Sequence, residues 1–178
     1  MRIAVSGKSG CGNTTTSQLL AERLGVELIN YTFRAMATEL GIGLDRLLQL
    51  ARGDDSYDRR LDARQVELAR RGDCVIGSRL AIWLLPEADL SVYLKASLDV
   101  RVGRIARREG GDIEAVRAFT IERDVQDHER YKKLYGIDND DYGFAGMIVD
   151  TDTLTQEEIV DLVLARLAAL GKIPASRP

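Results

Sequence analysis

The chain has 178 residues and a net charge of −3, with 45% hydrophobic and 30% charged residues. That length and balance suit one globular domain with a real core, the net charge argues against a general nucleic-acid binder, and the lack of any run of 18 apolar residues argues against a membrane span. A single histidine, His128, argues against a His-rich metal site, and Cys11 and Cys74, without ligand or redox spacing, read as reduced thiols in a cytoplasm.

The first element is a short apolar strand, Arg2 to Ser6, with no signal-peptide pattern before it. A glycine loop follows and runs into a helix, Thr14 to Leu24, which Gly25 stops. Further strands are expected over Val26 to Asn30, Cys74 to Ile76, Leu90 to Leu94 and Met147 to Asp150. They are short and rich in Val, Ile and Leu, as buried parallel strands are. Phe33 to Leu40 and Leu44 to Ala51 read as a helical pair, and Asp55 to Arg71 as a longer charged helix. Leu98 to Arg108, Ile113 to Tyr135 and Gln156 to Leu170 complete the helices, and Lys172 to Pro178 reads as a fraying tail. Trp83, Leu84 and Leu85 are expected in the core. Strands alternating with helices predict a parallel sheet covered on both faces, with ligand beyond the carboxyl ends of the strands.

The loop Gly7-Lys8-Ser9-Gly10-Cys11-Gly12-Asn13-Thr14 nearly matches G-x-x-x-x-G-K-[ST]. Such a loop turns backbone N–H groups inward at a helix N-terminus and so holds phosphate. Gly7, Gly12 and Thr14 are in place, and Thr14 can offer its hydroxyl to Mg²⁺. Ser9, Gly10, Cys11 and Thr15 belong to the same phosphate cradle, Cys11 as a small filler. The lysine slot holds Asn13, which has no charge. A unit charge at about 4 Å is worth roughly 4 kcal/mol in a partly screened site. Lys8 is the nearest replacement; variant loops of MinD-like ATPases carry an extra lysine at that position. The other reading has Lys8 pointing to solvent.

Arginine is the second signal. Arg34 follows the second strand and Arg79 the third, both on the ligand side. Arg101, Arg104, Arg107 and Arg108 recur at helical spacing, and Arg123 and Arg130 do so further on. Guanidinium forks grip phosphate oxygens at two points. From Arg101 to Lys133 there are nine basic and seven acidic residues, so solvated ion-paired helices are the competing reading. His128 reads as a helix-surface residue.

These stretches together resemble the cytidylate kinases of the nucleoside monophosphate kinase family, above all the short archaeal type. The resemblance runs through Phe33-Arg34-Ala35-Met36-Ala37, the segment Asp58 to Gln65, Ser78-Arg79-Leu80-Ala81, Leu94-Lys95-Ala96, Arg101 to Glu109, Arg130 to Asp138 and Val149-Asp150-Thr151. It implies a P-loop three-layer α/β sandwich with a five-stranded parallel sheet. The core would be 1–31, 72–105 and 114–171, with an inserted helical nucleotide-binding flap at 32–71 and a short lid at 106–113. It implies transfer of the terminal phosphoryl group of ATP to CMP or dCMP with Mg²⁺, by a cytoplasmic monomer. Arg34 and Arg79 would hold the acceptor phosphate, and Asp127 and Arg130 its sugar and phosphate. Arg123 would approach the transferred group, Arg104 and Arg107 or Arg108 would close over ATP, and Arg60 and Asp62 would read the base. Two positions depart from the family pattern: Asn13 at the loop lysine and Gly77 where an acid usually follows the third strand. Two rivals stand beside this reading. One is a kinase for another monophosphate or small metabolite. The other is a nucleotide-binding regulator without catalysis.

Overall fold

The structure, a computed structural model, describes residues 1–174. Five strands form one all-parallel sheet: β1 (Arg2–Ser6), β2 (Glu27–Ile29), β3 (Cys74–Gly77), β4 (Leu90–Lys95) and β5 (Met147–Asp150), in the order β2-β3-β1-β4-β5. Central β1 pairs Val5 with Gly77 of β3 and Ser6 with Tyr93 of β4. Ile3, Ala4 and Val5 are wholly buried, because a central parallel strand is covered on both faces.

The helices are α1 (Asn13–Leu24), α2 (Phe33–Leu40), α3 (Leu44–Ala51), α4 (Ser56–Ala69), α5 (Ala81–Leu84), α6 (Leu98–Glu109), α7 (Ile113–Tyr135) and α8 (Gln156–Ala169). One core gathers Ile3, Val5, Val75 and Val92 with Leu20 of α1 and Ile159, Val163 and Leu167 of α8. The opposite face packs Ala4, Ile76 and Tyr93 against Ala69, Ala81, Ile82 and Leu85. A third cluster, Tyr31, Met36, Ala37 and Leu47 with Phe33, Tyr57 and Leu61 around it, gives α2–α4 a core of their own. That separate core lets the segment between β2 and β3 stand as a wall beside the sheet.

The short helix α5 escapes the sequence reading, since an apolar run of six residues carries no helical period. Within it, Trp83 is only partly buried, edge-on to Tyr93 and Phe144. The tail expected to fray is anchored at its start: the Lys172 ammonium pairs with Asp89 and its backbone N–H bonds to the Leu167 carbonyl. The remainder of that expectation, 175–178, lies outside the described residues. Between α6 and α7, Gly110 and Gly111 take φ of 77° and 104°, and Asp112 caps α7 through the N–H groups of Glu114 and Ala115. The glycine break is thus a tight tip joining two packed helices.

Candidate active site

A cleft of about 920 Å³ lies beyond the carboxyl ends of β1, β2 and β3. Residues following each of those strands floor it, α4 walls one side, and α6 and α7 wall the other. Among the described residues seven basic side chains line it, Lys8, Arg79, Arg104, Arg107, Arg108, Arg123 and Arg130, against three acids, Asp58, Asp62 and Glu109. The excess of positive charge makes it an anion site.

The loop between β1 and α1 keeps its shape by close backbone approach. Gly10 and Gly12 take φ of 87° and 102°, the left-handed region that favours glycine. A β-carbon on Gly10 would lie 2.9 Å from that of Arg101, and one on Gly12 would lie 2.9 Å from Gln156 Nε2. Asn13 does not reach forward into the cleft. Its Nδ2 donates to the Gly7 carbonyl at 2.6 Å and closes the base of the loop. Lys8 lines the cleft, but its ammonium lies 2.6 Å from Asp140 Oδ1, in the turn after α7. Thr14 is exposed on the cleft wall. Its hydroxyl can ligate a divalent cation, most of whose ligands come from substrate phosphates and water. Cys11 faces the core, 1% exposed, and burial pushes its thiol pKa up. It therefore acts as an inert filler.

Gly77 has a packing reason. A β-carbon there would sit 2.4 Å from Ser17 Oγ and 2.8 Å from Ser17 Cβ. No acid fits at the end of β3 while Ser17 stands behind it. Gly77→Asp is expected to lose about 1–3 kcal/mol from overpacking. Thermal melting checks this: the Ser17→Gly, Gly77→Asp pair recovers most of the loss, and a fully stable Gly77→Asp contradicts the packing argument.

The arginines form a ranked set. Arg79 Nη1 meets Asp127 Oδ2 at 3.2 Å, and Arg130 is held by Asp127 at 3.0 Å and Asp58 at 3.2 Å. Asp127 is buried and bridges the two guanidinium groups from behind rather than lining the cleft. Arg123 lies in the same cleft and has no carboxylate within ion-pair distance among the described residues. Burial and the nearby Arg79 charge pull its pKa below the ordinary guanidinium value. A desolvated cation without a partner is costly, and an incoming anion relieves that cost. Arg104 is tied to the Thr151 carbonyl at 2.5 Å and to Thr151 Oγ1 at 3.0 Å, beside the loop.

Arg107 and Arg108 border the cleft near the α6–α7 tip. Arg34 and Arg60 are exposed on α2 and α4 and do not line it. Asp62 does, and so do three groups the sequence reading left unassigned: Asp58, Gln65 and Gln156. Asp58, Asp62 and Gln65 stand at spacings of four and three on α4, so one helical stripe could have linked them. Burial raises the carboxyl pKa of both Asp58 and Asp62. Arg101 also went unassigned to the site. It is buried, paired in two-point fashion with Asp124 at 2.6 and 3.1 Å, and donates to the Ser9 carbonyl at 3.2 Å. It supports the loop from below. His128 is half-exposed, with Nδ1 2.9 Å from Asn139 Oδ1.

The chain is similar to cytidylate kinase 2 of Borreliella afzelii, 42% identical over 92% of this chain and 94% of that protein. It is also 37% identical to the cytidylate kinase of Pyrococcus horikoshii, over 96% of this chain and 90% of that one. A solved shikimate kinase from Bacteroides thetaiotaomicron shares the fold with a TM-score of 0.61 at 19% identity, covering 97% and 99% of the two chains. A family model described as the cytidylate kinase-like family matches residues 2–153, which takes in the loop, the helical wall and every arginine of the cleft. The chain belongs to the cytidylate kinase-like family.

Proposed function

We propose that this chain transfers the terminal phosphoryl group of ATP to CMP or dCMP, giving CDP or dCDP. The observation that carries the reading is the partly buried Arg123, without a carboxylate partner among the described residues, in a glycine-walled cleft that also holds the ion-paired Arg79 and Arg130. The acceptor's phosphate oxygen attacks the terminal phosphorus in line, so no side chain need act as nucleophile. The loop 7–15 holds the donor phosphates, with Arg104 and Arg108 over them. Arg79 and Arg130 hold the acceptor phosphate, in geometry set by Asp127 and Asp58. Arg123 and Arg107 stabilise the charge that spreads over the transferred group. The Thr14 hydroxyl would hold Mg²⁺ arriving with ATP, and the ion would supply neutralisation of the phosphate charge there.

In this reading α2–α4 are the acceptor flap and residues 106–113 the lid. Arg34 and Arg60 reach the acceptor only when the flap closes over it. In this reading the chain acts as a monomer, and two free buried thiols suit the reducing cytoplasm. No helix among the described residues is long and apolar enough to cross a membrane.

The test is ADP formation from ATP and Mg²⁺ with each common nucleoside monophosphate. CMP and dCMP are expected to be the best acceptors, and hydrolysis without acceptor to be slow. ADP formation that ignores the acceptor overturns the reading. Lys8 is assigned the charge missing at Asn13, released from Asp140 when phosphate enters. Lys8→Ala is then expected to raise the KM for ATP or lower kcat at least about tenfold, the value of a charge-assisted hydrogen bond. Steady-state kinetics with unchanged constants would remove Lys8 from the mechanism.

A further inference from the structure

The α4 side of the cleft contains a hydrogen bond that joins two elements far apart in the chain. Tyr135, the last residue of α7, donates its hydroxyl to Asp62 Oδ2 of α4 at 2.6 Å. Burial and the Asp62 carboxylate raise the Tyr135 pKa, so the phenol keeps its proton. The Arg59 guanidinium lies over the Tyr135 ring, 5.5 Å from its centre, and holds the ring in place. Asp62 Oδ1 has no hydrogen-bond partner among the described residues, and Asp62 lines the cleft, as Leu61 and Leu134 do. One oxygen is thus committed to the scaffold and the other is left for a ligand.

We propose that Tyr135 is the positioning residue for base selection: it fixes Asp62 so that Oδ1 accepts a hydrogen from the exocyclic amino group of the acceptor's cytosine. The inference rests on the acceptor assignment above and deepens it. An ionised carboxylate only accepts hydrogen bonds. Cytosine offers an N–H₂ donor where uracil offers a carbonyl acceptor. Uracil would set two acceptors face to face in a partly buried site, and such mismatches are rejected strongly.

The arrangement makes Asp62→Asn informative. A phenol donates more strongly than it accepts, so Tyr135 holds the amide by its oxygen and turns the NH₂ group toward the base. The donor then faces cytosine's own donor and complements uracil. The ratio of kcat/KM for CMP over UMP is expected to fall about a hundredfold or more in Asp62→Asn. In Tyr135→Phe the carboxylate loses its anchor, and the ratio falls about tenfold. In the double variant the amide turns freely, and the ratio settles near one, above that of Asp62→Asn alone. A ratio is unaffected by the fraction of folded enzyme, and a merely structural Tyr135 would lower both substrates equally. Wild type that uses CMP, with variants that keep its CMP-to-UMP ratio, overturns this inference and leaves the acceptor assignment standing. Wild type that phosphorylates no pyrimidine monophosphate overturns both.

Discussion

Arg123→Ala is expected to lower kcat for CMP phosphorylation by about a hundred- to a thousandfold, the usual effect of removing one preorganised transition-state donor. Its KM values are expected to change far less, because the guanidinium acts on charge that develops only during transfer. The stability change should have the opposite character. Arg123 is partly buried and has no carboxylate partner among the described residues, so its removal relieves a desolvated charge. The melting temperature is expected to hold or rise while activity collapses. Arg79 and Arg130 differ, since both are ion-paired to Asp127, and losing either removes one of the two guanidinium partners of that buried acid. Steady-state kinetics and thermal melting on the same preparation separate the two behaviours. An Arg123→Ala enzyme that melts early with normal kcat would make Arg123 a structural residue.

The largest stability effect is expected at Asp124. Its ion pair with Arg101 is two-pronged, and the Arg101 side chain is only 6% exposed. Asp124→Ala leaves a buried guanidinium without its partner, which costs about 3–5 kcal/mol. For a chain of this size that lowers the melting temperature by roughly 6–20 °C. Asp124→Leu combined with Arg101→Met removes both charges and is expected to recover most of the stability. It should not recover ATP affinity, because Arg101 also donates to the Ser9 carbonyl of the loop and methionine has no donor to replace it. Melting and ATP titration of the two variants distinguish support of the fold from support of the loop. A double variant that binds ATP normally would mean that Arg101 contributes packing alone.

The strands were legible because each is a short run of branched apolar residues bounded by polar ones. β1 and β5 fall where the sequence reading puts them, and the others differ by one or two residues at their ends. The loop was legible because its glycines follow β1 directly. Other features depend on how distant elements meet. Tyr135 and Asp62 are 73 positions apart, and Arg101 and Asp124 are 23 apart. No spacing rule links either pair. Asn13 could be recognised as uncharged, but its fold-back onto Gly7 depends on the loop's closed shape. Gly77 reads as a lost acid in sequence and as a steric necessity in space, with Ser17 as the reason. Arg34 follows the second strand on the ligand side, and the family resemblance gives Arg60 a base contact, yet neither lines the cleft, because helical phase decides which residues of α2 and α4 face inward.

In the proposed reaction, guanidinium groups around a glycine-walled loop pass a phosphoryl group between two nucleotides without the usual loop lysine. The decisive experiment follows a radiolabel on the terminal phosphorus of ATP in the presence of CMP. The label is expected in CDP, with little inorganic phosphate and with transfer lost in Arg123→Ala. Label released as inorganic phosphate at the same rate with or without CMP would contradict it.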